Sequence, residues 1–233
     1  MNYSGWELKY FDLSYNFRKY QYELIKDHLG KKILEVGPGS GKFAKNFLLK
    51  KTNEIHLTEI NKNLHKLLSD EFKNVNKHVN IYSKKIEDIE EKYDTICYFD
   101  VIEHIEDHEN ELKNALKKLN PNGSLIIIVP AFNHLYSYYD KSIGHYRRYE
   151  KNFFKVFVEN NNLFCKKLFY FDSIGYFFLL INRIINVKTN KKVSFGTIIW
   201  NLMVPISKLL DKLLFHSFGK SLICIIQNKD NEN

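Results

Sequence analysis

The feature that most constrains this chain is a glycine-rich turn between a short apolar run and a helical pattern. Residues 33–36 (Ile-Leu-Glu-Val) lead into Gly37-Pro38-Gly39-Ser40-Gly41, and a helix is predicted over 42–49. Glycines at the exit of a buried strand let the backbone approach a ligand closely and turn into the next helix. Such a turn belongs to a βαβ unit, and the rest of the chain repeats the alternation. Apolar runs at 55–58, 79–82, 93–99, 125–129, 167–171 and 221–227 predict further strands. Helical patterns at 14–29, 64–72, 110–119 and 150–160 lie between them, and Pro121-Asn122-Gly123 reads as a turn. The order predicts an α/β fold with a Rossmann-like, seven-stranded, mostly parallel sheet covered by helices on both faces.

Composition narrows the class. A chain of 233 residues with 44% hydrophobic content suits one domain with a full core. Thirty-five basic residues against 27 acidic ones give a net charge of +8. That excess favours an anionic partner, although lysine spread evenly along the chain reads equally well as composition alone. Cys97, Cys165 and Cys224 are too widely spaced for a disulfide framework or a zinc knuckle. Met1 to Leu13 lacks the apolar core of a signal peptide, and no run approaches the ~20 apolar residues of a spanning helix. The expected location is cytoplasmic.

Glu59 ends the strand after the glycine turn, where an acid can bind ribose hydroxyls. A dinucleotide fingerprint would place its third glycine at position 42, which is Lys42; here the third is Gly41. Glu35 precedes the turn and suits a ligand carrying an amino group and a sulfonium rather than a pyrophosphate. Glu35-Val36-Gly37-Pro38-Gly39-Ser40-Gly41, Glu59, Asp100-Val101-Ile102-Glu103-His104 and Pro121-Asn122-Gly123-Ser124-Leu125 resemble, in order and spacing, the motifs of class I S-adenosylmethionine-dependent methyltransferases. The branch resembled is that of the ubiquinone and "type 11" enzymes, over about residues 30–130. The resemblance implies that Gly37, Pro38 and Gly39 border the methionine moiety and that Glu59 holds the ribose. Ile60 would pack on the adenine and Ile86 would meet its edge. Asp100, followed by Val101, would lie near the methionine amine. Lys85 stands where the family often carries an acid for the adenine amino group.

The acceptor side is expected in the loop after the fifth strand. Tyr136, Tyr138, Tyr139 and Asp140 precede Gly144-His145-Tyr146-Arg147-Arg148-Tyr149. This pattern is similar to a methyltransferase group often associated with surface glycan and lipid-linked pathways; the matching residues are Pro130, Ala131, Asp140, Gly144, His145, Arg147, Arg148 and Tyr149. His145 then reads as base or ligand, and Arg147 and Arg148, with Tyr136 and Tyr149, as acceptor-binding groups. Alternatively the arginines cap a helix and pair with surface acids. The general base is open between His145, His104 and Asp140. Asp100, Glu103 and His104 also resemble the E-x-x-E-H metal motif of ubiquinone O-methyltransferases and small-RNA 3′-end methyltransferases, with His145 as a further ligand. The shorter Asp100 makes a metal-free site the preferred reading.

The boundaries expected are a helical lead over 1–29, a cofactor-binding core over 30–130, an acceptor segment over 131–172, an apolar helical insertion over 173–220, and a last strand and tail over 221–233. In the insertion, Asn201, Lys208, Asp211 and Lys212 form one narrow polar stripe on a helix that is otherwise apolar. Such a surface must be covered by the domain itself, by a second copy, or by a membrane interface, for which Lys188, Lys191, Lys192 and Lys220 supply charge. The reading is a methyltransferase acting on oxygen of a sugar-, phosphate- or lipid-linked small molecule, with S-adenosylmethionine as cofactor. The alternatives are metal-assisted RNA 2′-O-methylation and a non-catalytic cofactor-binding subunit.

Overall fold

A computed structural model describes residues 8–52, 54–184 and 195–227. The strands are β1 (Lys32–Val36), β2 (Glu54–Thr58), β3 (His78–Tyr82), β4 (Tyr93–Phe99), β5 (Leu119–Pro130), β6 (Phe164–Phe171) and β7 (Ser221–Gln227). The helices are α1 (Leu8–Leu13), α2 (Tyr15–Ile25), α3 (Lys42–Asn46), α4 (Lys62–Phe72), α5 (His108–Lys117), α6 (Tyr138–Ser142), α7 (Lys151–Asn160), α8 (Ser173–Ile184) and α9 (Phe195–Leu213). One sheet holds all seven strands in the order β3-β2-β1-β4-β5-β7-β6. Only β7 runs antiparallel to its neighbours, so the sheet is mostly parallel, as the sequence pattern predicts.

Both faces of the sheet are buried, which is why its central strands are continuous apolar runs rather than alternating ones. Ile126 and Ile128 of β5, with Ile223 and Ile225 of β7, face a core shared with α2, α3, α4 and α9. The intervening Leu125, Ile127, Val129, Leu222, Cys224 and Ile226 face a second core, under α5 and α7. The predicted turn at Pro121-Asn122-Gly123 lies inside β5 as a bulge. Leu119 pairs with Tyr93 and Ser124 with Thr95, so the intervening residues loop out, with Asn122 at φ 58°.

The sequence left the covering of the insertion open. Trp200 and Val204 of α9 are buried in the first core, and Asn201, Lys208 and Asp211 of its polar stripe face α2 and the turn before α8, while Lys212 is exposed. Asn201 Oδ1 accepts from the Phe17 backbone at 3.2 Å, and Lys208 pairs with Glu23. Asp211, fully buried, accepts from Tyr20 Oη at 2.9 Å and from the backbone of Asp172 and Ser173 at 2.6 and 2.9 Å. Ile198, Leu202, Ile206, Leu209 and Leu213 are left more than half exposed on the outer side of α9. No helix among the described residues is long and apolar enough to cross a membrane. Lys188, Lys191 and Lys192 lie outside the described residues.

Asp211 therefore fastens α9 to α2 and to the end of β6. Truncating it orphans three buried donors, each worth roughly 1–3 kcal/mol. Asp211→Ala should lower the guanidinium unfolding free energy by about 3 kcal/mol or more, against about 1 kcal/mol for Tyr20→Phe. Equal, small losses in both would mean that the network does not hold the insertion.

Candidate active site

The C-terminal ends of β1, β2, β4 and β5 open into a cavity of about 2050 Å³. Its floor comes from the glycine turn. Gly37 and Gly41 sit at φ 65° and 75°. A Cβ on Gly37 would stand 2.9 Å from Val101 Cγ2, and one on Gly41 would stand 2.4 Å from Leu68 Cδ1. The turn thus takes glycine for both its conformation and its closeness to the β4 turn and α4.

Glu35, Gly37, Pro38, Gly39, Glu59, Ile60, Lys85, Ile86, Asp100 and Val101 all line this cavity. Glu59 is buried and accepts from the Asn61 backbone at 2.9 Å. Burial pushes its carboxyl above the usual range, against backbone hydrogen bonds that pull it down. Ile86 is buried and Ile60 exposed, while Lys85 turns outward to Glu87 at 3.4 Å. Asp100, at φ 57°, holds Arg18 of α2 at 3.5 Å. Glu35 Oε2 is buried with no hydrogen-bond partner among the described residues, and burial raises its pKa to about 8.

At the other end of the cavity stand His104, Tyr136, His145 and Arg148. His145 Nδ1 bonds Asp140 Oδ1 at 2.9 Å, and Tyr136 Oη donates to the His145 carbonyl at 2.7 Å. The His145 ring meets His104 edge-on at 4.6 Å, and its Nε2 lies 3.7 Å from Glu103 Oε1. Burial drives the His104 pKa down to about 3, so that ring is neutral. Glu103 is fully buried, and neither carboxylate oxygen has a hydrogen-bond partner among the described residues. Burial, then the nearby Asp100, hold it well above the usual range. Glu103, His104 and His145 each offer one ligand atom, all within 4.8 Å of one another. Asp100 is not in that group, so the metal-binding set resembled in the sequence is only partly brought together.

Four of the expected site residues have their side chains committed elsewhere. Asp140 is hidden from the cavity, with its oxygens taken by His145, Arg148 and the Ser137 backbone. Burial would raise its pKa, but His145 and Arg148 outweigh that and keep it low, and its bond holds the His145 ring in place. Arg148 borders the cavity, yet its guanidinium is spent on Asp140 at 2.9 and 3.1 Å and on the Ala131 carbonyl at 3.3 Å. Arg147 and Tyr149 do not face the cavity. Arg147 ties down the carbonyls of Ile105 and Glu106, and buried Tyr149 bonds His108 and the Ile102 carbonyl. All three brace the loop that carries His145.

A model of the methyltransferase domain matches residues 9–164, about two thirds of the chain. The chain belongs to the methyltransferase domain family. The chain is 32% identical over 114 residues to a ubiquinone biosynthesis O-methyltransferase of Rickettsia bellii. That alignment covers 46% of the chain and 47% of the relative, so the chain matches about half the relative's length. Its fold is similar to a chain of the Haloferax volcanii complex that includes the Trm112 methyltransferase activator, with TM-score 0.67, 10% identity, and coverage of 97% of this chain and 95% of that one. It is also similar to the N-methyltransferase NodS of Bradyrhizobium japonicum, solved with S-adenosylhomocysteine, with TM-score 0.56, 12% identity, and coverage of 90% and 86%. Those likenesses establish the class I S-adenosylmethionine-dependent methyltransferase fold.

Sequence reasoning did not place Arg18, Trp200 and Lys220 at the cavity, which they also line. Arg18 lies on the amphipathic lead helix, and Lys220 immediately precedes the last strand; neither position carries a local motif.

The raised pKa of Glu35 has a sign. The native state binds its proton more tightly than the unfolded chain. The associated stability is full below the ordinary carboxylate value of 4.5 and is lost as pH rises through about 8. The melting temperature of the cofactor-free protein should fall over that window, and Glu35→Gln should remove Glu35's share of the slope. An unchanged slope would show that Glu35 titrates normally.

Proposed function

We propose that this chain transfers the methyl group of S-adenosylmethionine to an oxygen of a small molecule that is sugar-, phosphate- or lipid-linked. The observation that carries this reading is one continuous cavity with a glycine turn, Glu59 and Asp100 at one end and an Asp140-held imidazole at the other. The donor set at the first end fits the cofactor. Glu59 suits ribose hydroxyls, and Arg18 beside Asp100 suits the zwitterionic methionine end. The unpartnered oxygen of Glu35 is matched to a cationic ligand. Bound, the cofactor supplies an already activated sulfonium methyl. The protein's task is alignment and exclusion of water, worth ~7–11 kcal/mol in well-oriented systems.

An acceptor hydroxyl must lose its proton as the methyl–sulfur bond breaks and the methyl–oxygen bond forms. With Nδ1 donating to the Asp140 carboxylate, the neutral form of the His145 ring has its lone pair on Nε2. His145 Nε2 takes the proton, and Asp140 stabilises the imidazolium that results.

A divalent cation is the second reading, favoured by the two unpartnered oxygens of Glu103 beside His104 and His145. The Asp140 bond to Nδ1 is the kind of outer contact that orients a ligating imidazole. Bound there, a cation would make an acceptor hydroxyl more acidic.

The test is incorporation of labelled methyl from S-adenosylmethionine into fractionated cell extracts. Wild type should label a small-molecule or lipid fraction, and His145→Ala should cut the rate by roughly 10²-fold or more while leaving S-adenosylhomocysteine affinity nearly unchanged. Full turnover by His145→Ala removes His145 from the mechanism. Label in RNA, or in no fraction, contradicts the acceptor class. Loss of incorporation with EDTA, restored by magnesium or manganese, selects the cation reading.

The outer faces of α8 and α9 favour an acceptor presented at a membrane surface. Phe177, Ile181 and Ile184 of α8 are exposed as well, and both helices also wall the cavity through Phe178, Asn182 and Thr197. Wild type should float with anionic lipid vesicles, and Leu202→Glu with Leu209→Glu should abolish flotation while leaving cofactor binding intact. Flotation unaffected by both changes would exclude this face.

A further inference from the structure

We propose that Lys220 anchors an anionic oxygen group, a carboxylate or a phosphate, on the methyl acceptor. The inference rests on the reading of the cavity as a methyltransferase site, and it names a binding contact that the mechanism above does not use.

Lys220 stands at the entry to β7, beside the end of β5, where its carbonyl accepts from the Ala131 backbone at 2.9 Å. Its side chain is 18% exposed and lines the cavity. The ammonium is clamped between two aromatic faces, 3.6 Å from the Trp200 ring centroid and 4.0 Å from that of Phe17. Ring faces attract a cation but accept no strong hydrogen bond from it. An ammonium has three donors to place. No atom of the described residues accepts a hydrogen bond from this one; its closest carboxylate oxygen, Asp172 Oδ2, is 3.6 Å away.

Asp172 has little left to give. Its Oδ1 accepts from the Gly175 backbone at 3.0 Å and Ser207 Oγ at 2.9 Å, and its Oδ2 accepts from Trp200 Nε1 at 2.8 Å. The same contact to Trp200 holds the indole flat against the ammonium, so the cation is fixed in position while its hydrogens stay uncommitted. Half-buried charged donors without acceptors are costly, and they are retained where a ligand completes them. Lys62, Lys84, Lys85, Lys141 and Arg183 also border the cavity but are exposed. Of the cations there that are not exposed, Arg18 is committed to Asp100 and Gln21 and Arg148 to Asp140, which leaves Lys220 the one best placed to take an anion. Burial lowers its pKa to about 8, against the pull of Asp172, so it carries its charge at neutral pH and gains from a second anionic neighbour.

Trp200 reports on this contact directly. The chain has two tryptophans, so in a Trp6→Phe background the fluorescence is that of Trp200 alone. The experiment titrates protein saturated with S-adenosylhomocysteine with methyl phosphate, with acetate, and with neutral trimethyl phosphate, at constant ionic strength. Methyl phosphate or acetate should give a saturable change and trimethyl phosphate none; the tighter anion names the group. Lys220→Met should weaken anion binding by roughly tenfold or more, the scale of one charge-assisted contact, and Lys220→Arg should largely retain it. Should the methionine variant lose S-adenosylhomocysteine binding, Lys220→Gln makes the same comparison. No saturable change in the loaded parent protein, or equal binding by the charge-removing variant, overturns the proposal and leaves Lys220 as the counter-charge of Asp172. Failure of the parent protein to bind S-adenosylhomocysteine strikes the methyltransferase reading instead.

Discussion

The close approach of two turns, Gly37 after β1 and Val101 after β4, is the constraint on which the rest of the structure depends. These strands are neighbours in the sheet, but their connections leave in opposite directions, towards β2 on one side and β5 on the other. A crevice must open where the connections part. A side chain at Gly37 would fill it against Val101. The charged groups assigned to the proposed cofactor sit at the ends of the strands that form or adjoin this crevice, or on the lead helix. Glu59 comes from β2, Glu35 from β1, Asp100 from β4 and Arg18 from α2.

The end of the cavity proposed for the acceptor is built differently. The loop that carries His145 is held by one buried carboxylate. Asp140 gathers the Ser137 backbone, His145 and Arg148 around itself, so a loop without regular structure keeps a defined shape. Arg147 and Tyr149 pin the same loop to the segment that carries Glu103 and His104. The imidazoles of His104 and His145 come together because both segments are held, not because either is rigid alone. Farther along the sheet edge Asp172 and Asp211 do for the insertion what Asp140 does here. Asn201 and Asp211 of the polar stripe are held inward, beside the buried Trp200 and Val204, and Ile198, Leu202, Ile206, Leu209 and Leu213 are left outside.

The sheet and the cofactor end were legible in the sequence because each rests on local signals. Strands buried on both faces are apolar runs, and a glycine turn with an acid before it is contiguous. The start of β5 was not legible, since a bulge of Asn and Gly looks like a turn between elements. In the acceptor loop the residue types were visible but their directions were not. Consecutive residues such as His145, Arg147 and Arg148 point to different surroundings, and no period tells which one meets the cavity. Glu103 drew notice only as part of a metal motif, while the lack of a hydrogen-bond partner for its carboxylate oxygens among the described residues is a tertiary fact. Lys220 was read as surface charge because nothing near it in sequence announces the rings of Phe17 and Trp200. The stripe on α9 was found, but a stripe has no sign until its neighbours are known.

Calorimetric titration with S-adenosylhomocysteine, on wild type and Glu59→Ala, tests the central claim most directly. If the crevice between β1 and β4 is the cofactor site, wild type binds in the micromolar range. Glu59→Ala, having lost its contacts to the ribose hydroxyls, then binds roughly tenfold or more weakly. No binding by wild type, or equal binding by both proteins, would contradict the placement of the cofactor and with it the account of the whole cavity.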